Sequence, residues 1–231
     1  MFYWLLVQIS SHLVISLWYN GYMKGMILVP IKFSEKEFLK LKNYLVLYNC
    51  ALINMETRVN ILLEDFKNFH EINPVEHVKL RLKSPESIAE KLHRRGFEIT
   101  ADSAIKNLFD IAGIRITCAY SKDIAFLVDV FRRQQDASIL YERDYITKPK
   151  TTGYRSHHIV TEVPIYLTSE TKFIPVEIQI RTQAMDFWAS LEHHVRYKYD
   201  NEVPDSVSAE LVACAEEIAA LDSPCMFYMK K

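Results

Sequence analysis

Strict alternation of apolar and polar side chains in residues 176–182, VEIQIRT, predicts a β-strand with one apolar and one polar face. The polar face presents Glu177, Gln179 and Arg181. An acidic side chain in mid-strand is disfavoured on propensity, so Glu177 requires an explanation. The pattern marks this face as a candidate site; the alternative is an ordinary ion pair between Glu177 and an exposed neighbour.

Two helices are predicted from their capping signals in the first half of the chain. The segment SEKE, residues 34–37, is a capping box that opens one long helix, or two in line, running to about His70. No Gly or Pro interrupts that stretch, and apolar residues recur there at helical spacing. The pair Ser84-Pro85 opens another helix, which ends at Gly96.

Strand-like and helical patterns alternate along the rest of the chain, which predicts an α/β (mixed α+β) fold with a mixed β-sheet flanked by helices. Residues 155–167 and 173–181 form an expected hairpin around the polar turn TSETK. A strand at 110–120, a helix at 122–134 and the strand-like stretch that follows suggest a β-α-β unit. The later helices are predicted at 182–198 and after Pro204.

The composition argues against several classes of function. The formal net charge of −1 argues against general binding of nucleic acid, so an RNA partner is not supported by charge and any basic site is local. Five glycines in 231 residues leave no glycine-rich phosphate loop. The four cysteines form no CxxC pair, which favours free thiols in a reducing cytoplasm.

The first 30 residues are rich in aromatic and aliphatic side chains and contain no acidic residue. We interpret residues 1–30 as an atypical extension, with the true start at Met23 or Met26; a peripheral helix that contacts a membrane is the alternative. Polar residues interrupt the middle of this stretch, so no firm membrane association is predicted. The predicted domain covers residues 31–222 and is followed by a short tail at 223–231.

A basic segment around the second predicted helix is a candidate anion site. Arg81 and Lys83 precede the helix, whose first backbone N–H groups are free to bind an anion. Steps of three and four residues place further polar side chains on one helical face: Ser84, Ser87, Lys91 and Arg94. A solvated basic surface is the alternative interpretation.

Two carboxylates and a loop complete the candidate chemistry. Asp110 precedes an apolar strand that contains Arg115, and together with Glu177 it could hold Mg²⁺, which prefers carboxylates and substrate phosphates. Alone, Asp110 would be a turn residue. In the loop 148–155, KPKTTGYR, Tyr154 can stack on a base while lysines meet phosphate, or it can simply pack.

Taken together, these segments resemble the RelA/SpoT-type (p)ppGpp synthetase domain in its stand-alone small alarmone synthetase form. The resemblance covers residues 35–222 and is most specific in EIQIRT followed by AMDFWASLEH. Its motifs, in order, are RLKSPESIAEKLHRRG (81–96), DIAGIRI (110–116), YITKPKTTGYRSHH (145–158) and VEIQIRTQAMDFWASLEHHVRYK (176–198).

The resemblance implies a nucleotidyltransferase-like sheet and a cytoplasmic enzyme that moves pyrophosphate from ATP to the ribose 3′-OH of GDP or GTP, leaving AMP. It gives Asp110 and Glu177 the catalytic and Mg²⁺-binding roles, Glu177 activating the hydroxyl. The ATP-binding set that it implies is Arg81, Lys83, Lys91, Arg94 and Arg115, joined by Ser87 from the helical face. The GDP/GTP-binding set that it implies is Lys150, Tyr154, His158 and Gln179.

This chain departs from the family at three places. Thr151-Thr152 stands where many members have Pro-Asn, and His157 stands where members are often apolar; the resemblance puts both beside the guanine site. Pro224 would stop the last helix that relatives use in tetramers, which leaves a homo-oligomer open. The apolar stripe of that helix fits either a core or an association surface: Val207, Leu211, Cys214, Ile218 and Leu221.

Two other functions fit parts of the pattern. Toxic relatives transfer pyrophosphate to the 3′-end of tRNA with the same catalytic residues, although balanced charge argues against a tRNA acceptor here. A non-catalytic nucleotide- or RNA-binding module would use the basic helix and Tyr154. Such a module would not need both Asp110 and Glu177, so synthesis of the alarmone is the preferred hypothesis.

Overall fold

A computed structural model describes residues 4–10, 13–20, 23–30, 32–70, 73–134, 138–199 and 202–222. The chain forms two compact units, one made of residues 1–44 with 83–108 and the other of 45–82 with 109–231. The predicted tail at 223–231 lies outside the described residues. The boundaries at 31 and 222 stay predictions.

The N-terminal extension is built from strands. β1 (Trp4–Ser10), β2 (Leu13–Asn20) and β3 (Met23–Pro30) pair antiparallel in the order β1-β2-β3. The alternative of a membrane-contacting helix is therefore wrong for these segments. Among the residues that the structure describes, no helix is both long and apolar enough to cross a membrane.

The capping box at Ser34 opens one continuous helix, α1 (Glu35–Phe69), which settles the choice between one helix and two. The backbone N–H of Glu37 donates to Ser34 Oγ at 3.3 Å. Within the first unit, the Glu37 carboxylate also accepts the backbone N–H of Ala101 at 2.7 Å. One side chain thus connects the first turn of α1 to a later segment of the same unit.

The next strand and helix show one missed and one confirmed prediction. β4 (His77–Leu82) was not predicted as a strand, because nearly all of its residues are exposed and show no alternation of burial. α2 (Pro85–Arg94) has Ser84 as N-cap and Pro85 in its first turn, as predicted. Gly96, with φ +71°, lies one residue beyond the C-cap Arg95, where the left-handed backbone favours glycine.

The other helices and strands agree closely with the sequence patterns. Only α3 (Ala101–Asn107), a short helix capped by Thr100, was not anticipated. The predicted hairpin and the helices after residues 120, 182 and 204 are confirmed. The remaining elements are β5 (Ala112–Cys118), α4 (Ser121–Arg132), β6 (Ser138–Asp144), β7 (His157–Tyr166), β8 (Thr171–Thr182), α5 (Gln183–Lys198) and α6 (Asp205–Asp222).

The second unit contains a five-stranded mixed sheet in the order β4-β5-β8-β7-β6. Strands β5 and β8 run parallel, and the other neighbours are antiparallel. The predicted fold class is confirmed. The suggested β-α-β unit needs a correction, because α4 carries the chain to the far edge strand β6, whereas the parallel neighbour of β5 is β8.

One face of this sheet forms the core of the second unit. Helix α4 packs against β5 and β8 and buries Ile124, Leu127 and Val128. The sheet contributes a set of isoleucines that are at most 1% exposed: Ile114, Ile116, Ile159, Ile178 and Ile180. Because side chains alternate along a strand, these isoleucines leave the opposite face to the polar residues.

Helix α6 packs on α5. Its contacts and exposure bear on whether its apolar stripe belongs to the core or to an association surface. The indole Nε1–H of Trp188 donates to the backbone carbonyl of Leu211 at 3.0 Å. Ala215, the buried residue of α6, lies beside the stripe; the members of the stripe are half-buried except Leu221, which is 72% exposed. The stripe is therefore only partly a core element.

Candidate active site

The strand register places polar side chains in a row across the second unit's sheet. Residues that pair between strands share a face, so one row can be followed through all five strands. From β4 to β6 it contains Lys79, Arg115, Gln179, His158 and Arg143. This register answers what the sequence left open, since His158 pairs with Gln179 and lies on the face of Glu177.

The neighbouring row contains the predicted carboxylate and, beside it, a glycine. Arg81 pairs with Gly113, and Gly113 pairs with Glu177. A Cβ atom built on Gly113 would meet only two backbone oxygens, at 3.7 and 3.9 Å, which are ordinary contacts. Protein packing does not require glycine there, so the missing side chain leaves a shallow floor between Arg81 and Glu177.

Both oxygens of the Glu177 carboxylate are held by neighbours on the same face. Oε1 lies 3.0 Å from Nδ1 of His158, and Oε2 accepts the Nε2–H of Gln179 at 2.8 Å. Burial raises the pKa of Glu177, but the hydrogen bonds that its oxygens form with His158 and Gln179 act in the opposite direction, and the pKa is lowered overall. Glu177 is therefore an ionised, oriented carboxylate.

Asp110 lies at the entrance of β5 and is half-buried. Its negative charge acts to raise the pKa of Glu177, against the stronger effects of His158 and Gln179. The pairing of the two carboxylates stays a hypothesis, and this effect of Asp110 on Glu177 is consistent with it. Oxygen donors of this kind suit Mg²⁺ when substrate phosphates complete its coordination.

The acceptor-side loop forms an aromatic cluster around one cation. Nζ of Lys150 lies 4.8 Å from the ring centroid of Tyr145 and 4.6 Å from that of Tyr154. The Tyr154 hydroxyl lies 2.9 Å from Nε2 of His158, and the two rings meet edge to face. Lys150, Tyr154 and His158, which were predicted together, are therefore brought together on the face of Glu177.

Gly153 fixes the position of this loop against the last two helices. Its φ of +89° is in the left-handed region, and an added Cβ would lie 2.5 Å from Cβ of Ala215. Cζ2 of Trp188 would be 3.5 Å away. Any larger residue at 153 would push the loop from α6 or move Tyr154, so this glycine has a steric reason that the sequence alone did not reveal.

Arg181, whose role the sequence left unassigned, connects the polar face of β8 to the start of α5. Its side chain is 2% exposed and forms an ion pair with Asp186 in the first turn of α5. Arg115 reaches the same carboxylate oxygen with its NH1 at 3.5 Å. Burial and the charge of Arg115 lower the pKa of Arg181, so Asp186 is the anion that allows two arginines to lie close together.

The predicted anion-binding residues are divided between the two units. Arg81 and Arg115 lie on the sheet of the second unit, whereas Lys83, Ser87, Lys91 and Arg94 belong to the first. There the backbone N–H of Ser87 donates to Ser84 Oγ at 3.2 Å, and Ser84 Oγ also approaches Ser87 Oγ at 3.2 Å. Lys83 is 8% exposed, and Arg94 is exposed on α2.

His157 does not lie beside the acceptor cluster, contrary to the expectation from the resemblance. It pairs with Ile180 and faces the other side of the sheet, where its Nε2 lies 2.7 Å from Oε1 of Glu142. Glu142 also binds Arg132 of α4. Adjacent strand residues point to opposite faces, so placing His158 at the site excludes His157 from it.

Sequence reasoning missed three residues of this face: Arg143, Tyr145 and Asp186. Arg143 donates to the Tyr145 hydroxyl at 3.3 Å and lies in the row beside His158. The sequence offered a signal for Arg143, because in the strand SILYERD it alternates onto the same face as Tyr141. Asp186 gave no signal, since an acidic residue in a helix's first turn is ordinary.

The polar face therefore combines features of a nucleotide-handling transferase site: a carboxylate pair, several cations and an aromatic loop. Residues 80–202 match the model of the region found in RelA / SpoT proteins. The GTP pyrophosphokinase YwaC of Bacillus subtilis (strain 168) is 43% identical over 190 residues, which cover 82% of this chain and 90% of that protein.

Two solved structures are similar to this fold. The small alarmone synthetase 2 from Bacillus subtilis has a TM-score of 0.74 and 41% identity, covering 82% of this chain and 97% of that one. The small alarmone synthetase 1 from Bacillus subtilis, bound to its product pppGpp, has a TM-score of 0.77 and 32% identity, covering 82% and 96%. This chain belongs to the RelA/SpoT family, and its similarity is to the small alarmone synthetases.

Proposed function

We propose that this protein is a GTP pyrophosphokinase that synthesises (p)ppGpp by transferring pyrophosphate from ATP to the 3′-OH of GDP or GTP. The observation that carries the proposal is the ionised Glu177 carboxylate, held at both oxygens on a face that also carries Arg115 and Tyr154. Membership of the family and the names of its similar relatives support the same reaction.

On this proposal Glu177 accepts the proton of the ribose 3′-hydroxyl. The 3′-oxygen forms a bond to the β-phosphorus of ATP while the bond from that phosphorus to the α,β-bridging oxygen breaks, and AMP leaves with the bridging oxygen. Such displacements depend on positioning and on neutralising charge, and they need no covalent help from the protein. A positioned base typically contributes about 10²–10⁴-fold to the rate.

The cations are proposed to bind the phosphates, and the loop is proposed to bind the acceptor. Arg81 pairs with Gly113, a position with no side chain of its own, Arg115 lies in the neighbouring row, and both arginines are proposed to bind phosphate. The other residues that the resemblance assigns to ATP belong to the first unit, and they stay proposed ligands on the resemblance alone: Lys83, Ser87, Lys91 and Arg94. On the acceptor side, Tyr154 would stack on guanine, with Lys150, His158 and Gln179 around the nucleotide.

Magnesium is the proposed cofactor, and the donor set fits it. Asp110 and Glu177 would supply two carboxylates, and a nucleotide would supply phosphate oxygens. When bound, the ion would neutralise phosphate charge during the transfer. Cytoplasmic location and self-association, which the resemblance also implies, belong to the same proposal and are checked by cell fractionation and by light scattering of the purified chain.

The test is a transfer assay with purified protein, γ-labelled ATP and Mg²⁺, given GDP, GTP or deacylated tRNA in separate reactions. We expect label on the guanine nucleotide and release of AMP in equal amount. Label only on tRNA would replace the proposal with the tRNA-modifying reaction. Label on no acceptor, with nucleotide binding retained, would make the chain a binding module. Omission of Mg²⁺ with excess chelator should abolish transfer.

A further inference from the structure

Three side chains form a continuous hydrogen-bonded chain between the acceptor loop and the proposed base. The Tyr154 hydroxyl lies 2.9 Å from Nε2 of His158, and Nδ1 of the same ring lies 3.0 Å from Oε1 of Glu177. His158 is 8% exposed, so water has little access to its nitrogens. Each of the two contacts uses a different nitrogen of the His158 ring. The proposed reaction gives the Tyr154 hydroxyl no task of its own.

The direction of these hydrogen bonds follows from the chemistry of the end group. An ionised carboxylate only accepts, so Nδ1 of His158 must carry the hydrogen that points to Glu177. A neutral imidazole has a single N–H, which makes Nε2 an acceptor and the Tyr154 hydroxyl its donor. The opposite tautomer would put the Nδ1 lone pair against the carboxylate oxygen, so Glu177 would lose this hydrogen bond.

We propose that His158 is a positioning residue that orients the Glu177 carboxylate, and that the Tyr154 hydroxyl holds His158 in the Nδ1–H tautomer that does so. This inference rests on the proposed function and assigns the tyrosine a task separate from stacking. The loop that would hold the guanine base is thereby connected to the group that would deprotonate the ribose. Misplacement of a reacting group by about 1 Å can cost about 10²-fold in rate, so the connection has a measurable effect.

Two amide substitutions at His158 separate its two nitrogens. In His158→Asn the amide nitrogen lies near the place of Nδ1 and can still donate to Glu177. In His158→Gln the longer side chain places its amide near the position of Nε2. It can therefore hydrogen-bond to the Tyr154 hydroxyl but not to the Glu177 carboxylate. We expect His158→Asn to retain at least about 10-fold more kcat than His158→Gln, with Michaelis constants for ATP alike in the two variants.

The companion variant Tyr154→Phe keeps the ring and removes only the hydroxyl. We expect its kcat to fall about 10-fold while the Michaelis constant for the guanine nucleotide changes by less than about 3-fold, since stacking is retained. In the His158→Asn background the same change should have no further effect, because the accepting nitrogen is already gone. Tyr197→Phe and His193→Asn remove the same groups from exposed positions on α5 and serve as matched controls.

A spectroscopic measurement on the unmodified protein tests the tautomer without catalysis. With ¹⁵N-labelled histidine, long-range nitrogen–proton spectra distinguish Nδ1–H from Nε2–H rings, and the His158→Gln spectrum identifies the His158 signals. An Nδ1–H ring supports the proposal. An Nε2–H ring, a doubly protonated ring, a better His158→Gln than His158→Asn, or a Tyr154→Phe defect confined to the Michaelis constant would overturn it. Failure of the unmodified protein to make alarmone would instead refute the proposed function.

Discussion

The two faces of the five-stranded sheet are made by the same strands and have opposite properties. On β8, Ile178 and Ile180 are at most 1% exposed and lie on the face that packs against α4. Glu177 and Gln179, one residue away, form hydrogen bonds on the other face. Burial of the isoleucines stabilises the strand, and this stability allows a carboxylate to be held in a position that propensity alone would disfavour.

The adjacent histidines show the same contrast at the level of single residues. His157 binds Glu142, whose pKa is lowered by its hydrogen bonds to Arg132 and His157 against the opposing effect of burial. That cluster joins α4 to the edge strand β6 and has no contact with the predicted site. His158, on the opposite face, contacts both Tyr154 and Glu177. The face, and not the residue type, decides which histidine contacts Glu177.

The largest expected effect comes from removing the charge on the polar face. Glu177→Gln keeps the shape of the side chain and both hydrogen-bonding partners within reach, but it cannot accept a proton. We expect synthesis to fall by about 10²–10⁴-fold while ATP binding is largely retained. Steady-state rates together with ATP binding by calorimetry measure both quantities.

The control for that variant is Glu170→Gln, at the exposed turn between β7 and β8, where only a surface ion pair to Lys172 is lost. Its rate should equal that of the unmodified protein. Near-normal turnover in Glu177→Gln would remove Glu177 from the mechanism and leave the polar face as a binding surface.

On the apolar face, truncation should affect stability and not chemistry. Ile178→Ala removes a side chain that is 1% exposed and opens a cavity under α4. We expect a loss of about 2–5 kcal/mol in the free energy of unfolding, with unchanged Michaelis constants in the protein that remains folded. Denaturant titration and kinetics at low temperature measure the two effects. A raised Michaelis constant with normal stability would show that the faces are not independent.

Substitution of two glycines should have an intermediate effect, on stability at Gly153 and on the reaction rate at Gly113. Gly153→Ala must place Cβ 2.5 Å from Ala215 at a φ of +89°, so we expect a loss of about 1–3 kcal/mol in stability. Gly113→Ala meets only ordinary contacts, so stability should change by less than about 0.5 kcal/mol while the rate falls, because Cβ enters the floor beside Glu177. Thermal melting measures the stability of each variant, and steady-state kinetics measures its rate. The expectation would be contradicted if both variants lost stability, or if both lost only rate.

The smallest effect concerns thiol reactivity. Cys118 ends β5 on the apolar face and is 0% exposed; burial, with the charges of Asp123 and Glu76, raises its pKa to about 12. Because the thiolate is the reactive form, we expect Cys118 to resist alkylation at pH 8 after Cys50 and Cys214, which are half-buried, have reacted. Mass spectrometry of peptides after timed labelling measures the order. Early labelling of Cys118 would show that this face opens to water.

Much of the fold follows from local signals in the sequence. Ser34 and Ser84 act as helix caps where their hydroxyls were expected to accept backbone N–H groups, and Thr182, the predicted start of a helix, caps α5. The alternation in VEIQIRT gave the strand and its polar face, because side-chain parity is a property of the strand itself. β4 and α3 were missed because an exposed edge strand and a seven-residue helix lack the periodicity that burial imposes.

The site is a different case, since its assembly depends on which strands become neighbours. Sequence alone placed Glu177, Gln179 and Arg181 on one face, and the resemblance to a family proposed partners for them. Only the tertiary structure set the register that joins His158 to Glu177 and buried Arg181 against Asp186. Parity along a strand is local, whereas register and burial depend on residues distant in the chain, which is why the sequence determined the first and the folded protein decided the second.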